Sequence, residues 1–364
     1  MKGEGAGKGA GGTVMSRRDC IRWLGGTLLA ALVPSGTHAA GAGGPGPQRK
    51  APPTGLVTDP IFKKHLTGRW HPESPARCDA ILKGLKAGGL DGKLVRLKLR
   101  TAVRDEITLC HTEDYIRLVK RDVAAERLRL STGDTPLCPA TFEVALWSAG
   151  GALAAVDAVM QGTAKNAFCA LRPPGHHADA RSGRGFCVFN NIALAARYAQ
   201  KKYRVGKVLI FDWDVHHGNG TQDIFYEDGS VFFCSVHQWP WYPGSGAADE
   251  TGRGAGKGTT LNLPVRFGSG AKEILPLLTD KLIPAAHTFK PELVLISAGF
   301  DSRQGDPLGR LTLRDEDFAE MTQMVSSIAQ AHAGGRVIST LEGGYELKGL
   351  ASAAAAHVQA LHAA

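Results

Sequence analysis

The sequence predicts an α/β fold in which a mostly parallel central sheet is flanked by helices. Short apolar runs recur along the chain, as is typical of strands that are buried on both faces. Longer helix-like segments separate these runs, as the crossover connections of parallel strands require. Polar residues follow the runs directly, and in such sheets ligands bind beyond the carboxyl ends of the strands. We therefore expect one α/β domain with an active site at that edge of the sheet.

Six strands and four long helices carry this prediction. The strands are expected at residues 167–171, 207–211, 231–236, 260–263, 293–297 and 336–340. The helices are expected at residues 142–160, 191–202, 274–289 and 315–333. Beyond the first forty residues, we expect no segment with the ~18 apolar residues that a membrane span needs.

The composition narrows the class of protein. The chain has 364 residues, of which 43% are hydrophobic and 21% are charged, as is usual for globular proteins. The formal net charge is +9, but the basic residues form no run with interleaved aromatic residues, so no nucleic-acid partner is indicated. The seven cysteines contain no C-x-x-C pair. Cys138 and Cys187 lie in loops near the expected site, where a disulfide is an option in an oxidising compartment.

The first 53 residues resemble a leader and a linker. Arg17 and Arg18 precede a moderately apolar stretch at residues 23–33, and small residues follow near 37–40. This pattern predicts a twin-arginine-like export signal over residues 1–40 and a periplasmic location. Residues 41–53 are rich in Gly and Pro and are predicted to be a linker before a folded domain at 54–364. After removal of the signal we expect no membrane span, and the sequence does not indicate an oligomeric state.

The most informative segment is residues 211–220, which follows the apolar run at 208–210. If the chain stays extended there, Asp212, Asp214 and His216 alternate by two and point to one side. Asp301 follows a later strand and would reach the same edge of the sheet. Asp214, His216 and Asp301 would give three protein ligands and an open position, which is the usual arrangement of a catalytic zinc. Such a metal lowers the pKa of bound water toward ~7 and polarises a carbonyl group.

Two further strand ends offer groups for acid–base chemistry. His176 and His177 follow a stiff Pro-Pro-Gly turn and suit a general acid and a general base. Asp212 and Asn219 are the candidates to orient their rings, with the carboxylate favouring a charged ring and the amide a neutral one. Which histidine is acid and which is base stays open at this point. Tyr345 follows two glycines and is a candidate donor to an oxyanion.

These motifs, in this order, resemble the histone deacetylase superfamily of zinc amidohydrolases. The matching segments are Arg-Pro-Pro-Gly-His-His at 172–177, Gly-Phe-Cys at 185–187, Asp-x-Asp-x-His-His-Gly at 212–218, Gly-x-Asp at 299–301 and Gly-Gly-Tyr at 343–345. The resemblance extends from about His71 to the C-terminal helix. Asn219 is similar to the residue found in the class II branch and its bacterial relatives.

The resemblance implies an arginase/deacetylase-like fold and a set of site residues. It implies zinc on Asp214, His216 and Asp301, with the histidine pair as acid and base and Tyr345 as the donor to the carbonyl. The residues that it implies for substrate binding, in a narrow channel for an acyl-lysine-like chain, are Gly185, Phe186, Tyr242, Asp134 and Gly343.

The resemblance also implies monovalent cations. A potassium ion would bind the Asp212 carboxylate, the Ser235 hydroxyl and nearby carbonyls, including that of Val236. A second monovalent site is implied near Phe225, Asp228 and Val231, although Asp228 departs from the usual residue.

The function expected from the sequence is a zinc-dependent deacetylase that cleaves acyl amides of lysine-like or polyamine amines. Its partner would be a small-molecule or peptide acyl amide, and the natural substrate is not specified. One alternative is a two-metal manganese ureohydrolase of arginase type. That chemistry needs a second Asp two residues beyond Asp301, where Arg303 stands. The other alternative is a non-catalytic module that binds an acyl ligand.

Overall fold

The computed structural model describes residues 52–364 and contains one sheet of eight strands. The strands are β1 (Thr54–Val57), β2 (Val95–Arg96), β3 (Asn166–Cys169), β4 (Val208–Asp212), β5 (Val231–Gln238), β6 (Thr260–Val265), β7 (Leu293–Ala298) and β8 (Val337–Leu341). Their order is β2-β1-β3-β8-β7-β4-β5-β6, and every pairing is parallel. The predicted α/β fold is confirmed. The predicted export signal and all but the last two residues of the predicted linker lie outside the described residues.

Helices cover both faces of the sheet. They are α1 (Ala76–Ala87), α2 (Arg104–Ile107), α3 (Glu113–Ala124), α4 (Thr141–Met160), α5 (Asn191–Tyr203), α6 (Asn219–Phe225), α7 (Ala271–Leu277), α8 (Ile283–Phe289), α9 (Asp315–His332) and α10 (Leu347–Ala363). Val208 and Ile210 of β4 pack in the same core as α4 and α5. Leu209 and Phe211, which point the other way, pack in the same core as α9 and α10. This double burial explains why residues 208–211 of β4 form an unbroken apolar run.

The strands differ from the prediction mainly at their ends. β6 continues through Pro264 to Val265, whereas the prediction stopped at residue 263. A proline is tolerated there because β6 is an edge strand of this sheet. β1 and β2 have four and two residues and were not predicted, since runs of this length carry little periodicity.

The helix predicted at 274–289 is interrupted. It begins earlier, at Ala271, and a π-helical turn at Leu278–Leu282 separates α7 from α8. Pro284 has no N–H to donate to the carbonyl four residues earlier, and a π turn is one way to accommodate the missing bond.

The expectation about membrane-spanning segments needs a correction. α4 is long and apolar enough to cross a membrane by length and composition alone. However, 72% of its apolar window is buried inside the protein. Val144, Ala149 and Leu153 of α4 are fully buried or nearly so. The apolarity of α4 therefore reflects its place in the core between the sheet and α5.

The optional disulfide is not formed. Cys138 and Cys187 are both free thiols. The sulfur of Cys138 accepts a hydrogen bond from the Leu66 N–H at 3.2 Å. Cys187 is fully buried.

Candidate active site

Four neighbouring strands deliver the candidate residues to one place. β3, β8, β7 and β4 lie side by side in the sheet, and each is followed by a polar loop at its carboxyl end. The loop after β3 carries His176 and His177, and the loop after β8 carries Tyr345. Asp301 follows β7, and Asp214 and His216 follow β4. Residues up to 169 positions apart in the sequence thus meet at one edge, as the prediction from strand ends requires.

Asp214, His216 and Asp301 form a compact cluster whose ligand atoms lie within 4.8 Å of one another. The Nδ1 atom of His216 is 3.0 Å from Asp214 Oδ1 and 3.2 Å from Asp301 Oδ2. All three residues are buried.

The backbone geometry that forms the cluster differs from the prediction. β4 ends at Asp212, so the segment to His216 is not an extended strand. Instead, Asp212 Oδ1 accepts the Asp214 N–H at 3.0 Å, and Asp214 Oδ1 accepts the His216 N–H at 2.9 Å. These local side-chain to backbone bonds turn the chain after the strand. They place Asp214 and His216 together without strand pairing.

The cluster fits a divalent cation. Asp301 Oδ1 accepts the Val215 N–H, but Oδ2 is buried and accepts no hydrogen bond from any described residue. Burial and the nearby Asp214 carboxylate raise the pKa of Asp301 to about 7. Asp301 Oδ2 lies 3.2 Å from the His216 Nδ1 atom, but two buried carboxylates beside a single imidazole leave excess negative charge, which is unfavourable unless a cation balances it. Two carboxylates and one imidazole are also a donor set that zinc accepts.

Gly343 lies directly behind this cluster. Its N–H donates to Asp214 Oδ2 at 2.8 Å. A Cβ atom at this position would lie 2.0 Å from Asp301 Oδ2 and 2.7 Å from Asp214 Oδ2. Gly343 was grouped with the substrate-binding residues, but the structure places it against the metal-ligand cluster and not on the wall of the cavity described below. Only a residue without a side chain fits there.

The histidine pair has the two orienting partners that the sequence suggested. His176 Nδ1 is 2.9 Å from Asp212 Oδ2, and His177 Nδ1 is 2.8 Å from Asn219 Oδ1. Burial alone would lower the pKa of His176, but the carboxylates of Asp212 and Asp214 raise it to about 10. Burial and the neighbouring His176 lower the pKa of His177 well below its usual value. The pKa values of the two rings are therefore shifted in opposite directions, since His176 has carboxylate neighbours and His177 is buried beside two other histidines.

Tyr345 is held by residues that the sequence analysis did not single out. Asp306 Oδ2 accepts the N–H groups of Tyr345 and Glu346 at 2.6 and 3.1 Å. Arg77 donates to the carbonyls of Gly344 and Glu342. Its guanidinium carbon lies 5.1 Å from the centre of the Tyr345 ring. Arg77 is itself buried and paired with a carboxylate of the segment before α1.

Glu342 is a further residue that the sequence analysis missed. Its Oε2 accepts the N–H groups of Gly175 and His176 at 2.7 and 3.1 Å. It thereby ties the end of β8 to the turn that carries the histidine pair. Burial raises the pKa of Glu342 to about 7. Glu342 could have been found from the sequence because it stands immediately before Gly-Gly-Tyr. Asp306 could have been found in the same way, because it lies in a Gly-Asp-Pro turn after β7.

A cavity of about 240 Å³ opens above the cluster. Its walls are formed by Asp134, His177, Gly185, Phe186, His216, Trp241, Tyr242, Leu308 and Tyr345. Seven of these nine residues were predicted as site residues; Trp241 and Leu308 were not, because no sequence pattern marks them. They lie together, since Trp241 Nε1 donates to the Leu308 carbonyl at 3.0 Å.

The narrow side of the cavity depends on a strained turn. Gly185 and Phe186 have φ values of +56° and +68°, and the second is unusual for a bulky side chain. Asp134 Oδ1 accepts the Gly185 N–H at 2.7 Å. The Phe186 ring stands edge-on to His71 at 4.6 Å and to Tyr345 at 6.0 Å between ring centres. Tyr242 contacts the other side, with its ring centre 5.1 Å from that of His177.

The residues predicted for monovalent cations occupy neighbouring strands. Asp212 of β4 pairs with Ser235 of β5 in the sheet, and Val236 follows on β5. All three are buried. At the second predicted site, the Asp228 carboxylate is bonded to Ser230 and to the Arg197 guanidinium. The Asp228 carboxylate at the second predicted site is therefore already paired with a positively charged side chain, that of Arg197.

Comparisons with known proteins agree with this geometry. A family model described as "Histone deacetylase domain" matches residues 71–361. The human "Polyamine deacetylase HDAC10" is 42% identical over 301 residues, covering 79% of this chain and 44% of the human protein. A "Probable deacetylase" of Archaeoglobus fulgidus is 37% identical over 298 residues, covering 81% of this chain and 82% of the archaeal protein. The chain thus spans less than half the length of the human relative.

A solved structure extends the comparison to the fold. The "HDA15 HD domain" superposes with a TM-score of 0.80 at 35% identity, covering 86% of this chain and 90% of that one. The sheet and its flanking helices are therefore those of an arginase/deacetylase-like domain, which confirms the fold expected from the resemblance. Because the family model covers most of the chain and contains every loop that forms the site, the chain belongs to the histone deacetylase family.

Proposed function

We propose that this protein is a zinc-dependent deacetylase that hydrolyses acyl amides of slender aliphatic amines. The observation that carries the proposal is the Asp214–His216–Asp301 cluster, which lies at a cavity that His177 and Tyr345 also line. The cluster reaches this cavity through His216, and His177 and Tyr345 line the same space. When bound by this cluster, zinc would supply Lewis acidity toward an amide carbonyl and toward water.

His177 is the residue placed to move protons. Its Nδ1–H donates to the amide oxygen of Asn219, so the neutral ring keeps the lone pair on Nε2. His177 lines the cavity, whereas His176 lies behind it against Asp212. We assign to His177 both the uptake of a proton from the attacking water and its return to the leaving amine. His176 and Asp212 orient the pair and contribute to its electrostatic field.

Tyr345 is placed to stabilise the developing oxyanion. Its backbone is fixed by Asp306 and its ring by Arg77, so the hydroxyl group is held without further ordering during the reaction. A fixed hydroxyl donor is most effective where charge develops on the substrate oxygen. This preorganisation favours an enzyme over a module that only binds an acyl ligand.

The shape of the cavity supports a thin substrate arm. Phe186 and Tyr242 supply aromatic walls, and the cavity of about 240 Å³ suits a short acyl group on a methylene chain. Asp134, at the same cavity, is placed to accept a hydrogen bond from the substrate. The human relative is named as a polyamine deacetylase. We propose acylated amines of lysine-like or polyamine type as the starting class.

The two-metal alternative is not favoured. Arg303 stands where a second-metal carboxylate would be required, and it pairs with Asp315 at 2.6 Å. The match to the histone deacetylase family model also favours a deacetylase over a ureohydrolase.

We also propose a potassium ion at Asp212, Ser235 and the Val236 carbonyl, supported by their burial and their adjacent strand positions.

The test combines metal content with amide hydrolysis. We expect the purified, zinc-loaded full chain to bind one zinc ion and to release acetate from acetyl-lysine or acetylated amines. Asp301→Ala should lose both the zinc and the turnover, while the exposed control Asp91→Ala should keep both. Two tightly bound divalent ions per chain, full zinc retention in Asp301→Ala, or a zinc-loaded protein that cleaves no acyl amide would each contradict the proposal.

We further propose export by a twin-arginine-like signal and function in the periplasm. The support is the sequence alone: Arg17 and Arg18, followed by the moderately apolar stretch at residues 23–33.

A further inference from the structure

A second apolar hollow adjoins the catalytic cavity. It has a volume of about 650 Å³, and Trp241 forms a wall of both spaces. We call it the Trp241–Phe267 groove. Its walls include Trp239, Pro240, Trp241, Pro264, Arg266 and Phe267. A substrate whose acyl end occupies the cavity would therefore have this groove within reach on the other side of Trp241.

The groove has exposed aromatic surface that the fold does not require. Phe267 is 70% exposed and Trp241 is 39% exposed. Both follow strands at the open edge of the sheet, since β6 is the last strand and Trp241 lies in the loop after β5. Large exposed aromatic side chains beside an active site are typical of surfaces that bind ligands.

Among the eight wall residues of the groove, Arg266 alone is charged. Arg266 is one of its wall residues, and the Arg310 backbone joins its rim by accepting the Gly268 N–H and by donating to Gln238 Oε1. The Arg310 guanidinium donates only to backbone carbonyls beside Leu308. Both arginines are exposed. Among residues 52–364, neither forms a salt bridge, and no groove wall residue is acidic.

We propose that the Trp241–Phe267 groove binds the amine side of the substrate and selects an apolar or aromatic group that carries a negative charge. Apolar walls contribute burial, and the Arg266 guanidinium, which forms no salt bridge among residues 52–364, attracts a carboxylate and repels a polycation. This inference rests on the proposed deacetylase function and narrows its substrate class. It favours an acylated peptide or amino-acid amide with an aromatic and acidic flank over an acetylated polyamine.

The test compares three acetyl-lysine peptide reporters that differ only after the acetyl-lysine: Phe-Glu, Phe-Lys or Gly-Gly. For the wild-type chain we expect kcat/KM for the Phe-Glu reporter to exceed that for the Phe-Lys reporter by at least about tenfold, with acetylated spermidine poorer still. This preference should shrink in 1 M salt, because exposed charges are screened over a few ångströms there.

Two variants separate the charge from the apolar surface. Arg266→Glu should reduce the Phe-Glu to Phe-Lys ratio roughly three- to tenfold. Lys201→Glu on α5 makes the same change in net charge and should leave the ratio unchanged. Phe267→Ala should reduce the advantage of Phe-Glu over Gly-Gly. Each comparison is a ratio within one protein preparation, so a partly inactive variant does not bias it.

The outcomes distinguish this inference from the function on which it rests. If the zinc-loaded wild-type chain cleaves neither the reporters nor acetylated spermidine, the proposed function fails. If it cleaves the Gly-Gly reporter but shows no preference between Phe-Glu and Phe-Lys, or prefers Phe-Lys or acetylated spermidine, the groove does not select the amine side and the inference is overturned. An unchanged ratio in both Arg266→Glu and Phe267→Ala would overturn it as well.

Discussion

Replacement of Gly343 by alanine should destroy the metal site through a single methyl group. The new Cβ would lie 2.0 Å from Asp301 Oδ2, whereas ordinary van der Waals contact begins near 3.4 Å. The carboxylate would have to withdraw by about 1.4 Å, and Asp214 Oδ2 would also be too close at 2.7 Å. Metal–ligand distances tolerate deviations of only about 0.2 Å. Two of the three ligands would therefore be out of position.

The expected loss of zinc affinity is at least about 100-fold. Loss of a residue that only orients a metal ligand already lowers metal affinity ~10–100-fold. In Gly343→Ala the ligands themselves are displaced, so the loss of affinity should be larger. Competition with a chromophoric chelator would measure the affinity, and elemental analysis after dialysis would measure the zinc content. Thermal unfolding of the metal-free wild-type and Gly343→Ala proteins would measure the effect of the added methyl group on stability. We expect it to lower the free energy of unfolding by ~1–3 kcal/mol.

Gly206→Ala is a matched control. Its new Cβ would lie 2.8 Å from Glu292 Oε1, the end of a flexible side chain that can move away. This variant should bind zinc as the wild type does. The reasoning would be refuted by a folded Gly343→Ala protein that retains one zinc ion with wild-type affinity, because the two carboxylates would then not be the ligands.

Three further predictions concern turnover, substrate binding and export. Tyr345→Phe should lower kcat by about a hundredfold or more, since loss of one oxyanion donor typically costs ~2.7–4 kcal/mol of barrier, with zinc content unchanged; near-normal turnover would show that the ring only packs. Phe186→Ala and Tyr242→Ala should each raise KM for acetyl-lysine reporters more than they change zinc binding, and unaltered kinetics in both would place the acyl channel elsewhere. Arg17→Lys combined with Arg18→Lys should retain an active enzyme in the cytoplasm, as cell fractionation would detect, and export at the normal rate would argue against a twin-arginine signal.

Much of the candidate site could be predicted from short segments of sequence. The residues that carry chemistry follow apolar runs, and parallel strands place their carboxyl ends on one edge, so His177, Asp214 and Asp301 could be grouped without coordinates. The orienting pairs were predictable for a chemical reason, because an imidazole needs an acceptor on its second nitrogen. The assumption of an extended chain beyond β4 was wrong, since the Asp212 and Asp214 carboxylates accept hydrogen bonds from backbone N–H groups two residues later and turn the chain.

Other features depend on packing between distant segments. Arg77 precedes Tyr345 by 268 positions, and nothing in its local pattern indicates that it packs against that ring. Trp241 and Leu308 meet only because the loops after β5 and β7 cross at the same edge of the sheet. For α4 the local composition is misleading. Its length and apolarity alone are compatible with a membrane span, and only its neighbours in the structure place it in the core.

The sequence by itself determined the fold class, the family and which reactive groups lie at the same edge of the sheet, because these depend on periodicity and on reactive groups at fixed spacings. The tertiary structure alone decided which buried carboxylate oxygen accepts no hydrogen bond, why residue 343 must lack a side chain, and which surface lies beside the cavity. These depend on distances between loops that follow different strands. Such distances are set by the order β3-β8-β7-β4-β5-β6, which is not the order of the strands along the chain.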